Sequence, residues 1–303
     1  MAVAISFFLY TSPMKHTRPI YQLSCCGPPL QLGHRTLVMG VLNVTPDSFS
    51  DGGLYFEPRK AVERALALVE AGADMIDIGG ESSRPAGPYG KGASVVSLKE
   101  ELNRTIPIIE AIAPQLNVPI SIDTTKAEVA RQAIDNGATI VNDISALRFD
   151  PGMVPLIAET GVAVVLMHMQ GTPSTMQQNP MYDDVVSDIL DFLSAQINSA
   201  EAMGISQSQI VIDPGLGFGK KYAHNIEILA RLSEFHALGY PLLMGASRKQ
   251  FTAPQSHPQE RLPGSISAIA LGAVAGVHIV RVHDVTETVQ SLALLDSVCR
   301  ISL

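Results

Sequence analysis

Short apolar runs recur along the chain, each followed by a stretch whose apolar positions repeat with a helical period. The runs cover residues 37–42, 75–78, 119–122, 139–141, 163–167, 210–212, 242–244 and 278–282. They are rich in Val, Ile and Leu, as expected of strands covered on both faces. Between them the spacing predicts helices near 58–71, 95–113, 125–136, 151–160, 182–203, 224–238, 265–275 and 285–301. Glycines stand where those helices should stop, at Gly72, Gly137, Gly161, Gly204, Gly239 and Gly276. Strands alternating with helices predict a parallel sheet. Eight such units predict closure into a single-domain α/β TIM (β/α)8 barrel, with an open doubly wound sheet as the rival. The barrel is expected over 36–303, with residues 1–35 as an N-terminal appendage whose first 13 residues are non-native or disordered. Met14 is an alternative start.

Composition narrows the function. Of 303 residues, 46% are hydrophobic and 17% charged, which excludes a disordered chain. A net charge of −8 provides no basic field for nucleic acid or an anionic membrane. The absence of Trp argues against a stacking platform for bases. Three cysteines, two of them adjacent, form neither a disulfide framework nor paired metal-ligand spacing, and suit a reducing cytoplasm. Residues 262–280 contain no Asp, Glu, Lys or Arg, yet Pro263, Gly264, Gly276 and His278 interrupt them. They read as a buried helix and strand rather than a membrane span.

The polar residues fall at the strand ends. Asn43, Glu81 to Arg84, Asp123, Asn142 and Asp143, His168, Asp213, Ser247 to Lys249, and Arg281 with His283 each close one unit. In a barrel these carboxyl ends converge on one face, where active sites are built. Any one of them has a plain explanation in the polarity of loops. Eight together do not, because an acid or base beside an apolar strand is costly unless partnered. Arg281 and His283 are two apart and share a side of their strand, which suits an anion. Arg248 and Lys249 add positive charge, so Arg84, Arg248, Lys249 and Arg281 are expected to meet.

The segment Asp213-Pro214-Gly215-Leu216-Gly217-Phe218-Gly219-Lys220 has neither the spacing nor the place of a dinucleotide fingerprint. Its glycines suit close approach of backbone to a flat ligand, with Asp213 accepting from ligand N–H groups. The loop 43–53 is dense in turn residues, like loops that act as lids. Asn43 and Asp47 there suit a metal held mainly by phosphate oxygens. His168, between two methionines, reads equally as a core residue or a site residue.

Together, segments 43–53, 79–85, 121–126, 141–144, 167–171, 213–220, 247–249 and 281–284 resemble bacterial dihydropteroate synthase. The resemblance runs from about residue 36 to the C-terminus. It implies a TIM barrel, a homodimer, Mg²⁺, and inhibition by sulfonamides. It also implies condensation of 6-hydroxymethyl-7,8-dihydropterin diphosphate with p-aminobenzoate to 7,8-dihydropteroate and pyrophosphate in folate synthesis. Carried over by position, Asp123, Asn142, Asp213 and Lys249 correspond to pterin-binding residues. Asn43 corresponds to the residue associated with Mg²⁺ and diphosphate. Arg281 and His283 correspond to the diphosphate anchor, with Ser83 and Arg84 between the diphosphate and the aminobenzoate. Asp123, Lys249, Arg281 and His283 are the residues expected to act in catalysis. The chain departs from the family at Ser83 (for Thr), Leu216 (for Phe), Gln250 (for Ser) and in a longer loop after Pro85. The rivals are a corrinoid-dependent methyltransferase on the same barrel, which needs no diphosphate anchor, and a non-catalytic pterin-binding paralogue.

Overall fold

The computed structural model describes residues 18–44, 58–82 and 96–301. A two-stranded antiparallel hairpin, β1 (Tyr21–Leu23) and β2 (Leu30–Leu32), precedes the barrel. The units then run β3 (Leu37–Asn43), α1 (Pro58–Glu70), β4 (Met75–Gly79), α2 (Leu98–Ile112), β5 (Ile120–Asp123), α3 (Ala127–Asp135), β6 (Ile140–Asp143) and α4 (Met153–Thr160). They continue with β7 (Ala163–Met167), α5 (Val185–Ala202), β8 (Ile210–Asp213), α6 (Tyr222–Ala230), β9 (Leu243–Met244), α7 (Leu262–Val274), β10 (Ile279–Val282) and α8 (Val285–Ile301). The eight strands β3 to β10 are parallel neighbours. The ring closes between β8 and β9 through a bridge at Ile212 and Leu242, with Ile212 N–H donating to the Pro241 carbonyl at 2.9 Å. The barrel is therefore observed, and the open sheet is not.

Two-residue alternation sorts each strand. One set (Val38, Leu42, Ile76, Ile78, Ile122, Val164, Ile212 and Val280 among them) packs under the helices in the main core. The other set points inward, and its lower half is apolar: Leu37, Met39, Met75, Ile140, Ala163, Val165, Val211, Leu243 and Ile279. Leu23, Cys25 and Leu32 of the hairpin join that inner cluster, so the hairpin plugs the amino-terminal floor. His278 pins the segment before the hairpin to the closing seam: its Nδ1 accepts from Leu242 N–H and its Nε2 lies 3.0 Å from the Pro19 carbonyl. Sealing of the floor leaves the other mouth as the route for a ligand.

Two expectations shift. The helix expected at 224–238 ends at Ala230 and resumes as a 3₁₀ segment, Leu232–Leu238. Its repeat of three brings the fully buried Leu232 and Phe235 onto one face. The uncharged stretch 262–280 divides into α7 and the start of β10, and among the described residues no helix is long and apolar enough to cross a membrane.

Candidate active site

The inward set turns polar toward the carboxyl ends, and the register aligns it. Asn43, Gly79, Asp123 and Asn142 face one another across β3 to β6. One step lower, Asp77 faces Ser121. Asp213 ends β8 opposite Met167.

Arg281 on β10 crosses this mouth. Its Nε donates to Asp77 Oδ2 at 2.5 Å and an NH2 group donates to Asp123 Oδ2 at 2.7 Å. Asp77 is fully buried, and it also accepts from Ser121 Oγ at 2.6 Å and Asn142 Nδ2 at 3.1 Å. One carboxylate thus fixes a cation, an amide and a hydroxyl. Asp77 is not among the residues expected from the sequence, because it sits within an apolar strand. Its signal was an acid between Ile76 and Ile78, two residues before the strand end. Burial raises the Asp123 carboxyl to about 7, against the pull of Arg281.

Lys249 approaches from the β9 side. It comes alongside Arg281 at Gly245, where a Cβ position lies 3.7 Å from Lys249 Nζ and 3.8 Å from the Arg281 Cβ, both ordinary contact distances. Lys249 Nζ donates to the Leu216 carbonyl and stands 4.6 Å from the centre of the Phe218 ring. Burial lowers this amine to about 8, while Asp213 pulls it upward. Asp213 Oδ1 accepts from Gly215 N–H at 2.7 Å, and burial raises its carboxyl although Lys249 lowers it. Phe218, Ile144, Met167, Met169 and Met176 form an apolar cluster beside these polar groups. The arrangement offers carboxylate acceptors, an amine and an apolar wall to a flat ligand.

Other expected residues land differently. His283 lies just past β10, with Nδ1 3.1 Å from Ser247 Oγ. Arg248 does not join Arg281 and Lys249. At φ +57 its backbone is left-handed, and its guanidinium pairs with Asp284, Nε to Oδ2 at 3.0 Å. The expected four-cation cluster is therefore corrected to Lys249 and Arg281 among the described residues. Ser83, Arg84, Asp47 and the loop after Pro85 lie outside the described residues. Asp143 faces away from Asn142, as neighbours on a strand must, and its carboxylate caps the following turn through Ser145 and Leu147 N–H groups. Leu216 is buried in the main core, so its replacement of an aromatic does not reach the mouth. Gln250 is exposed at the start of a 3₁₀ turn.

An α/β barrel with acids, an amine and an arginine converging inside its carboxyl mouth is built as a barrel enzyme is, with its polar groups at the strand ends. Residues 39–283 match the family described as pterin binding enzyme. The chain is 48% identical over 273 residues to the dihydropteroate synthase of Escherichia coli, covering 89% of this chain and 94% of that one. It is 46% identical to the dihydropteroate synthase of Synechocystis, covering 90% and 96%. The crystal structure of Yersinia pestis dihydropteroate synthase with a sulfonamide drug aligns with a TM-score of 0.84 at 44% identity, over 91% of this chain and 98% of that one. The Xanthomonas albilineans enzyme in complex with 7,8-dihydropteroate aligns at 0.80 with 42% identity, over 91% and 98%. The chain belongs to the dihydropteroate synthases, within the pterin-binding enzymes.

Proposed function

We propose that the barrel mouth condenses 6-hydroxymethyl-7,8-dihydropterin diphosphate with p-aminobenzoate to 7,8-dihydropteroate and pyrophosphate. The observation that carries this reading is Arg281, which joins the carboxylate side of the mouth to the strand end expected to hold an anion. Asp123, Asn142, Asp213 and Lys249 hold the pterin edge. Pterin N–H groups and Arg281 compete for Asp123, so an incoming diphosphate gives the guanidinium a new partner as the pterin takes the carboxylate.

The bond from the pterin methylene carbon to the diphosphate oxygen breaks, and its electron pair leaves with pyrophosphate. Arg281 and His283 stabilise that charge. Positive charge spreading into the electron-rich ring is stabilised by Asp123 and Asp213. The neutral aromatic amine of p-aminobenzoate donates its lone pair to the carbon and then loses a proton to water. No strong general base is needed, because the aromatic amine is already neutral, and among the described residues the mouth holds no His–Asp or Cys–His couple. By the resemblance, Ser83 and Arg84 would serve the diphosphate and the aminobenzoate.

Among the described residues, no cluster of His, Cys, Asp and Glu is arranged to hold a metal alone. Mg²⁺ commonly binds through one or two protein oxygens plus substrate phosphate. Asn43, part-exposed at the end of β3, would be the protein oxygen offered to such an ion. When bound, the ion would add charge stabilisation at the diphosphate. Similarity to the sulfonamide-bound Yersinia pestis enzyme supports sulfonamides as occupants of the aminobenzoate side. Exposed Ile226, Leu271 and Leu294 on α6, α7 and α8 support a homodimer. A cytoplasmic location follows from the reducing-compartment reading of the cysteines.

Purified protein given the pterin diphosphate, Mg²⁺ and p-aminobenzoate should form dihydropteroate, detected by mass. Folded protein that makes none overturns the assignment. The pH dependence is a second test. Asp123 must be ionised to accept N–H groups and Lys249 must be protonated to donate. With these groups at about 7 and about 8, kcat/KM for the pterin diphosphate should fall on both sides of a narrow maximum between them. Asp123→Asn should lose most of the rate and the acid limb together. An acid limb that persists in that variant assigns it to another group.

A further inference from the structure

Lys220 closes the glycine loop and lies outside the chemistry just described. It is almost fully buried, a rare state for a lysine, and burial lowers its pKa. Its Nζ lies 2.9 Å from His168 Nδ1, 2.9 Å from the Phe218 carbonyl and 3.4 Å from the His168 carbonyl. Three acceptors match the three hydrogens of an ammonium. His168, set edge-on to Phe192 with ring centres 4.8 Å apart, is held neutral by burial and by the charges of Lys220 and Arg148. Nδ1 is then an acceptor and the proton sits on Nε2.

The backbones around this contact are in close apposition. A Cβ on Gly215 would fall 1.9 Å from the His168 carbonyl oxygen, and one on Gly219 would fall 2.7 Å from that of Gln170. The loop after β8 thus rests directly on the exit of β7, with Lys220 bonded across the junction. The same loop begins at Asp213. In its middle it presents the Leu216 carbonyl and the Phe218 ring to Lys249.

We infer that Lys220 is a positioning residue of the pterin subsite, fixing the glycine loop on His168 so that Asp213 and Lys249 keep their places. The inference rests on the pterin reading of the mouth. Its reach is limited by other anchors, because Gln177 holds the Gly217 carbonyl and Tyr182 holds that of Gly219, each at 2.7 Å. A partial loss is therefore expected rather than an abolished site.

The test uses the full chain and steady-state kinetics with each substrate varied in turn. Lys220→Met keeps an unbranched apolar stem and removes Nζ. It should raise KM for the pterin diphosphate roughly tenfold and leave KM for p-aminobenzoate within about twofold, as expected for loss of a buried hydrogen-bond set on one subsite. Should Lys220→Met fail to fold, His168 separates bonding from packing. His168→Asn keeps an acceptor near the Nδ1 position but loses ring volume, whereas His168→Leu keeps apolar bulk and loses the acceptor. The leucine variant should show the raised pterin KM, and the asparagine variant should stay near wild type. The reverse order assigns His168 to packing and overturns the inference. So do equal changes in both KM values, or no change in a folded Lys220→Met. Wild-type protein that forms no dihydropteroate fails the site reading itself. An active wild type with normal Lys220 and His168 variants fails only the inference drawn here.

Discussion

Arg281→Ala is expected to weaken binding of the pterin diphosphate by about 2–5 kcal/mol, the range for removing one partner of a buried hydrogen-bonded charge pair. At about 1.4 kcal/mol per factor of ten, the affinity should fall between roughly 30-fold and several thousand-fold. Part of this loss belongs to the protein, because Asp77 and Asp123 lose their common cation. Calorimetry with two ligands resolves the parts. If Arg281 anchors the diphosphate, 6-hydroxymethyl-7,8-dihydropterin lacking the diphosphate should lose far less affinity than the diphosphate ester. Equal losses for both would make Arg281 an organiser of the carboxylates and nothing more. Asp123 makes a directional contribution here. In Arg281→Ala its carboxyl, raised by burial and lowered by Arg281, should titrate still higher and move the acid limb of kcat/KM upward.

The barrel was legible because its signal is local. Eight apolar strands covered on both faces, each followed by an amphipathic helix, can be read within windows of a few tens of residues. Strand ends were legible for the same reason, and Asp123, Asn142, Asp213, Lys249 and Arg281 do converge at the mouth. What escaped depends on contacts that sequence spacing does not carry. Asp77 meets Arg281 across 204 positions. Nothing near Met75 and Ile76 announces that the acid faces an arginine inside the barrel. The hairpin escaped because two three-residue strands have too little pattern to stand out from a coil. Adjacency in the chain predicts that Arg248 shares the neighbourhood of Lys249. The left-handed backbone at Arg248 sends its side chain to Asp284 instead. Adjacent positions in a chain share a neighbourhood only when the backbone is regular, and the exit of β9 is not.

Asp77 should prove as sensitive as any residue that meets substrate. Asp77→Ala leaves Arg281 with one carboxylate and deprives Asn142 and Ser121 of their acceptor inside the barrel. Breaking a buried pair by removing one partner typically costs about 3–5 kcal/mol. That is a large share of the roughly 5–15 kcal/mol that holds a domain folded, so chemical denaturation should show a much lower midpoint. Asp77→Asn separates charge from shape. Its carbonyl oxygen can still accept from Arg281 and Asn142, and its NH₂ can donate to Ser121 Oγ, so most of the fold stability should remain. The negative charge is lost, however, and Arg281 then rests on Asp123 alone. A pterin competing for Asp123 meets a stronger rival, and kcat/KM should fall by about ten- to a hundredfold on the energy of one charge-assisted hydrogen bond. Asparagine kinetics equal to wild type, with the alanine variant unstable, would place Asp77 in the scaffold. A stable asparagine variant with depressed kcat/KM would show that this buried acid keeps Arg281 exchangeable between protein and substrate.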